Sequence, residues 1–247
     1  MIAVSDGVGE FLLALADDEH LMGQQHTEWI GVTPFLEEDL AFSSIGQDEL
    51  GHAALLYALL AGDDDPAIDR LAFDRTAAEY RSCWLVERAS TDWAEALVRH
   101  WLYDSVEQIR WELLSSSSIS ELADTAARAL SEERFHLRHA NSLLDVLLLD
   151  NGARDRLLAA LDVMLPLALG LFEGVAGEAE AVASGVATSP LADARPRWDE
   201  IVTGRFGIDP ADHTGPAQQA RTVRSDDFAP LLARMREVFE FDPAAVW

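Results

Sequence analysis

Two tetrads, Glu49-Leu50-Gly51-His52 and Glu133-Arg134-Phe135-His136, decide how this chain of 247 residues is read. Each sets a carboxylate three residues before an imidazole, a spacing that places both side chains on one face of an α-helix. Two such tetrads are within chance for so acidic a sequence; the register around them is the stronger signal. Ile45, Glu49, His52 and Leu56 follow one another by four, three and four residues, and Leu122, Ala126, Ala129, Glu133, His136, Ala140 and Leu143 keep the same helical period. Two earlier stripes carry acids in the same way: Leu12, Leu15, Glu19, Met22 and His26, then Leu97, His100, Asp104, Glu107, Trp111 and Leu114. Four amphipathic helices therefore turn Glu19, Glu49, His52, Glu107, Glu133 and His136 toward a shared core. An ionised carboxylate withdrawn from water is expensive unless something positive meets it. Two metal ions are the simplest such charge, and E…ExxH…E…ExxH is the ligand pattern of a carboxylate-bridged di-iron four-helix bundle. Oxygen and imidazole donors suit iron, or manganese, better than a thiolate-seeking ion. Two other readings of these residues stay open: surface Glu–His pairs on amphipathic helices, and a degenerate bundle that keeps ligand-like residues without metal.

Outward from these stripes the chain reads as all-α. The periodicity predicts helices over 6–30, 35–61, 67–88, 91–116, 119–149 and 152–184, with Gly31 to Pro34, Gly62 to Pro66, Ser115 to Ser118 and Asn151-Gly152 as breaks and a kink at Pro166. From 185 the chain turns loop-rich, with Pro190, Pro196, Gly204, Gly207, Pro210, Gly215 and Pro216, before a last amphipathic helix over 226–241 that carries Phe228, Leu231, Leu232, Met235, Val238 and Phe239. The expected organisation is a single domain over 1–247, a helical bundle to 184 and a loop-rich extension over 185–247 that covers or docks on it.

Composition narrows the function. Eighteen basic residues stand against 44 acidic ones, net −26, and none of the basic residues is lysine. That balance argues against non-specific binding to nucleic acid or to an anionic membrane. No apolar run is long and charge-free enough to span a bilayer. The N-terminal residues Met1 to Asp6 carry no basic segment of a secretory signal, and the lone Cys83 suits a reducing compartment, so a cytoplasmic location is expected. Cys83 reads as a buried bystander, and Asp63-Asp64-Asp65 as a solvated turn.

The helical rise gives a check on the metal reading. Glu19 and Glu49 lie at similar distances from the turn between their helices. Glu107 lies about eight residues before its turn and Glu133 about fifteen beyond it, a mismatch of roughly 10 Å that calls for a longer connection or a different acid, with Asp104 and His100 on the correct side. Asp48 and Glu132, each next to a candidate ligand, are placed to accept a hydrogen bond from the histidine of the other helix pair, with Asp104 in a similar supporting role; for all three, a simple surface acid is the competing reading. His20 and His26 read as polar-face or capping residues, Phe135 as core, and Trp101, Tyr103 and Trp111 as core packing.

The segments Gln47-Asp48-Glu49-Leu50-Gly51-His52-Ala53 and Glu132-Glu133-Arg134-Phe135-His136-Leu137-Arg138 resemble the ligand helices of the phenylacetic acid catabolic family, the ferritin-like subunits of a multicomponent phenylacetyl-CoA ring epoxidase. Glu28-Trp29, Leu40-Ala41, Ile45-Gly46, Pro230-Leu231-Leu232-Ala233-Arg234-Met235 and Trp247 extend the similarity over nearly the whole chain, closest to the smaller subunit. The resemblance implies a ferritin-like bundle with flanking helices, a paralogous subunit or a second copy as partner, a separate reductase, and an aromatic acyl-CoA as substrate. In that family the larger subunit carries the two irons, while the smaller serves a structural role and typically lacks the acid and histidine that here stand at Glu49 and His52. An oxygenase component, a non-catalytic scaffold and a metal-storage or oxidase bundle are the three functions this leaves. A CoA site would draw on arginines such as Arg110, Arg134 or Arg138 for the phosphates.

Overall fold

The computed structural model describes residues 5–62 and 64–241, and among these residues all regular secondary structure is helical, with no strand. Helix α1 (Asp6–Thr27) starts where the Ser5 hydroxyl accepts from the Val8 amide. Helix α2 (Leu36–Ala61) returns along it and stops at Gly62, whose φ of 74° only glycine adopts freely. Contacts Gly23 to Gly46, Glu19 to His52 and Asp17 to Tyr57 run in opposite directions along the two helices, so the pair is antiparallel. A β-carbon on Gly23 would stand 3.1 Å from the Gly46 carbonyl oxygen, and one on Gly46 would stand 3.3 Å from that of Gly23. The bare backbones thus let α1 and α2 approach closely, one turn from Glu19 and from Glu49.

The crossover from α2 departs from the sequence reading. In place of one helix over 67–88, α3 (Asp65–Phe73) ends at Asp74, a 3-10 turn covers Ala77–Glu79, and only α4 (Trp84–Glu87) follows. The reason lies in two buried acids of α1. Asp17 accepts from the Arg81 amide at 2.7 Å, from the Tyr57 hydroxyl at 2.7 Å and from the Arg75 guanidinium, and Asp18 accepts from the Cys83 amide at 2.7 Å. The Arg81 and Cys83 amides, which a helix would satisfy internally, are here satisfied by side chains, which offsets the helical hydrogen bonds that the extended chain gives up there. Thr76 and Glu79 form a reciprocal cap that restarts the turn between them.

Helix α5 (Trp93–Leu114) is capped by Asp92, and α6 (Ser120–Leu147) packs antiparallel to it, with Trp101 donating to Asn141 and Asp104 facing His136. These pairings put Glu107 level with Glu133. The chain overshoots the end of α5 by roughly six residues before α6 descends past it, which absorbs the 10 Å mismatch expected from turn counting. Helices α1, α2, α5 and α6 form the bundle, and α7 (Asn151–Ala168) covers the outer face of α5. The predicted helix over 152–184 is also divided: α7 passes through Pro166, tightens into a 3-10 turn at Leu169–Phe172, and resumes only as α8 (Glu178–Ala183).

The extension is more helical than its proline and glycine content suggested. Pro196 opens α9 (Arg195–Phe206), where a first-turn proline loses no hydrogen bond, and Gly207 closes it in the left-handed conformation. Residues read as loop formers are in fact the start and stop of a helix. Trp198 of α9 is buried and donates to Ser105 at 2.7 Å, tying the extension to α5. Helix α10 (Phe228–Phe241) packs Phe228 on Tyr80 and pairs Arg234 with Glu28. Trp247, Asp63 and the side chain of Phe239, used in the sequence reading, lie outside the described residues. No helix among the described residues is long and apolar enough to cross a membrane.

Cys83 is buried, and burial pushes its thiol up to about 12. Because the thiolate is the reacting form, the native protein is expected to leave this cysteine unmodified by a maleimide at pH 8 over hours, and to react fully in denaturant. Mass spectrometry of the two samples decides it.

Candidate metal centre

Each stripe of the four bundle helices delivers its acids to one level of the core. Glu19 comes from α1, Glu49 and His52 from α2, Asp104 and Glu107 from α5, and Glu133 and His136 from α6, and all seven are buried. They resolve into two groups. Donor atoms of Glu19, Glu49 and His52 lie within 4.8 Å of one another, and so do donor atoms of Glu49, Glu133 and His136. Glu49 belongs to both. Either group could hold a metal ion, and Glu49 is common to the two.

The histidines are oriented from behind. His52 turns Nδ1 to Glu19, 3.0 Å away, and Nε2 to Glu132 at 2.7 Å. His136 turns Nδ1 toward Glu133 at 3.5 Å and Nε2 to Asp48 at 3.2 Å. In each case the acid behind the ring belongs to the other helix pair, so the two hairpins are cross-braced through their imidazoles. In the neutral imidazole, an Nε2–H donated to Glu132 or Asp48 would leave the Nδ1 lone pair facing the carboxylates, the tautomer a metal ligand needs. The Tyr103 hydroxyl donates to Glu19 Oε1 at 3.1 Å, and the Trp111 ring lies edge-on to His52.

Asp104 and Glu107 occupy different places. Asp104 Oδ2 is 4.0 Å from His136 Nδ1 and 2.9 Å from His100 Nδ1, on the side of the second group. Glu107 is drawn toward Glu19 and lies 2.7 Å from Arg110 Nη1, outside both groups. Of the six ligands read from sequence, five are therefore brought together in the two groups, and the sixth stands beside them with an arginine of its own. Arg110 also donates to Asp18 at 3.0 Å and is buried, so it is not free for a substrate phosphate.

The electrostatics show why this arrangement wants cations. Both oxygens of Glu49, of Glu133, of Glu107 and of Asp104, with His136 Nδ1, are buried without a hydrogen-bond partner. Burial, then repulsion from Glu19 and Glu133, pushes Glu49 well above the usual carboxylate range. Burial raises Glu133 to about 7 against the pull of His136, and raises Asp104 to about 7 likewise. For Glu19 burial acts upward too, but the bond and charge of His52 outweigh it and hold the group at about 2. The imidazoles respond in the opposite sense: burial opposes their charge, yet Glu132 and Glu19 lift His52 to about 10, and Asp48 and Glu133 lift His136 to about 11. Protons thus gather where positive charge is short. Orphaned buried carboxylates around two imidazoles are the donor set that iron or manganese satisfies.

Three residues stand elsewhere than the sequence alone placed them. His20 and His26 are fully enclosed, His20 against Tyr57 and Phe73 and His26 between Phe42 and His100. Helices here are covered on more than one face, which a single-stripe reading does not anticipate. Phe135 is 44% exposed, because α6 turns that side outward. Two further features escape a reading of the sequence: Tyr103 as a partner of Glu19, and the proximity of His26, His100 and His139. Stripe positions hint at His100, but only packing brings three separate helices to one place.

With this geometry in view, the comparisons with known proteins are specific. The family model described as phenylacetic acid catabolic protein matches residues 3–247. The chain is 29% identical over 249 residues to a subunit of the 1,2-phenylacetyl-CoA epoxidase of Escherichia coli (strain K12), an alignment that covers 96% of this chain and 98% of that protein. The chain belongs to the phenylacetic acid catabolic protein family.

Proposed function

We propose that this chain is a di-iron-type subunit of a multicomponent monooxygenase that epoxidises the ring of phenylacetyl-CoA or a related aromatic acyl-CoA in phenylacetate catabolism. The observation that carries the reading is Glu49, a fully buried carboxylate shared by two three-donor groups, with neither oxygen hydrogen-bonded. Glu19, Glu49 and His52 would hold one ion, and Glu49, Glu133 and His136 the other. Iron held by these residues would supply dioxygen activation, with electrons from a separate reductase, for a monooxygenation that puts one oxygen atom into the ring and releases the other as water. The chain's own residues prepare for that chemistry. Glu132 and Asp48 fix the imidazole tautomers, Tyr103 holds Glu19 in place, and Trp111 with the surrounding core keeps bulk water out.

Family membership and the name of the Escherichia coli relative support the substrate class. A second reading is that the chain pairs as a structural subunit with a catalytic paralogue; it is favoured by Glu107, which meets Arg110 at 2.7 Å and stands outside both donor groups. Metal analysis and turnover separate the two. The oxygenase reading predicts about two irons per chain after anaerobic reconstitution, as the two donor groups imply. It also predicts dioxygen-dependent consumption of phenylacetyl-CoA when the chain is combined with the paralogous subunit and a reductase, lost when this chain alone is stripped of iron. A preparation that turns over fully while this chain holds none establishes the structural role. Iron held without any effect on acyl-CoA turnover would point to storage.

A further inference from the structure

We propose that Glu38 and His139 form a capture site for ferrous iron, at the mouth of a route that leads through His100 and Asp104 to the second half of the metal centre. The inference rests on the metal-binding reading above and concerns how the ion arrives. An open cleft between α2 and α6 is lined by Glu38, Phe135, Arg138, His139, Ser142 and Leu143. At its floor Glu38 Oε2 and His139 Nε2 are 3.0 Å apart, both side chains still partly accessible. The His100 ring follows, its centroid 5.9 Å from that of His139. His100 Nδ1 is 2.9 Å from Asp104 Oδ2, which is 4.0 Å from His136 Nδ1. His26 flanks the row, its ring 5.0 Å from His100. Oxygen and nitrogen donors thus follow one another from just beneath the floor of the cleft to the centre, past walls built by Phe42 and Trp93.

These groups are unexplained as packing. Both ring nitrogens of His26, His100 and His139, and Glu38 Oε2, are buried with no hydrogen-bond partner among the described residues. Each unsatisfied buried polar group costs on the order of 1–3 kcal/mol, and apolar side chains would fill the space without that cost. A proton wire would use aligned hydrogen bonds between neighbours, and these contacts lack them. A row of free lone pairs, each within one ion's reach of the next, instead lets a cation exchange ligands without passing bare through the apolar wall. The one cation on the cleft, Arg138, is turned over the Phe135 ring, 5.3 Å from its centroid. The net charge of −26 draws divalent ions to the surface generally, and His139, the outermost nitrogen donor of the row, lines this cleft.

The test times Fe2+ uptake by the full-length metal-free chain under anaerobic conditions, with ferrozine trapping unbound ion at set intervals and total bound iron read after overnight incubation. E38Q, H139Q and the double variant are compared with the native chain and with S142A, which changes the cleft lining without altering its charge or the row. Uptake by the double variant is expected to slow about tenfold or more, the scale on which focused charge alters association rates, while overnight stoichiometry, helical circular dichroism and the S142A rate stay unchanged. Equal uptake rates in native and double-variant chains overturn the route and leave the metal reading standing. So does equal slowing in S142A, or reduced overnight iron in the double variant. A native chain that binds no iron at all removes both.

Discussion

The Glu49→Ala/Glu133→Ala double variant is expected to leave iron reconstitution with less than about 0.2 ions per chain, against about two for the native protein, because metal affinity of a buried site depends on a complete deprotonated ligand set. Glu49 belongs to both donor groups and Glu133 anchors the second, so their loss leaves no three-donor position. The fold should survive. Neither side chain makes a hydrogen bond, and burial raises the proton affinity of both, so in the metal-free chain they oppose folding more than they support it. Truncation opens a cavity, with a cost of order 2–3 kcal/mol for methylenes of this size, and relief of the buried carboxylates offsets part of it. The measurements are iron per chain by elemental analysis and thermal melting of the metal-free forms. Retention of two irons by the double variant would show that the ions, if bound, sit elsewhere.

Asp18→Ala is expected to lower unfolding free energy by about 3–5 kcal/mol, the range found when one member of a buried ion pair is removed and its partner stays. Asp18 is fully buried on α1 and accepts from Arg110 at 3.0 Å, from Arg221 at 2.6 Å and from the Cys83 amide at 2.7 Å. Two guanidiniums would be left in the core with one fewer counter-charge, and Arg221 would keep only the Leu171 carbonyl. A second effect adds to this. Gln219, Ala220 and Arg221 all hold positive φ, at 50°, 52° and 60°. A left-handed backbone costs roughly 1–2 kcal/mol for each such residue, so this turn persists only while something fixes it. Glu173 binds the amides of Gln218 and Ala220, and Asp18 binds the Arg221 side chain. Without Asp18 the turn should relax and the segment after Gln218 detach from the bundle. Urea denaturation measures the first effect. Limited proteolysis measures the second, with cutting near 218–224 expected in the variant and not in the native chain. Asp18→Asn, which can still accept from Cys83, should lose less.

The carboxylate–histidine part of the fold was legible because it depends on a local rule. Glu49 and His52, like Glu133 and His136, share a face by helical period alone, and a stripe that mixes such residues with Leu and Ala must look inward. The pairings of His52 with Glu132 and of His136 with Asp48 follow from the same rule applied to two antiparallel hairpins. The crossover was not legible. Residues 67–88 have helical composition, and what breaks the helix is Asp17 and Asp18, some sixty residues earlier, accepting the amides of Arg81 and Cys83. Pro196 and Gly207 carried the right signals with the wrong meaning assigned to them, since proline and glycine bound helices as readily as they build loops.

By itself, the sequence determined the helical class, the four acidic stripes and the ExxH pairs, all consequences of a period of 3.6 residues acting on neighbours in the chain. Tertiary structure alone decided that Glu49 is shared, that Glu107 goes to Arg110 while Asp104 faces His136, and that His26, His100 and His139 meet. Those choices turn on interhelical offsets of one turn or less, set by how far glycine backbones approach and how long a connection runs, and no periodicity within a single helix encodes them.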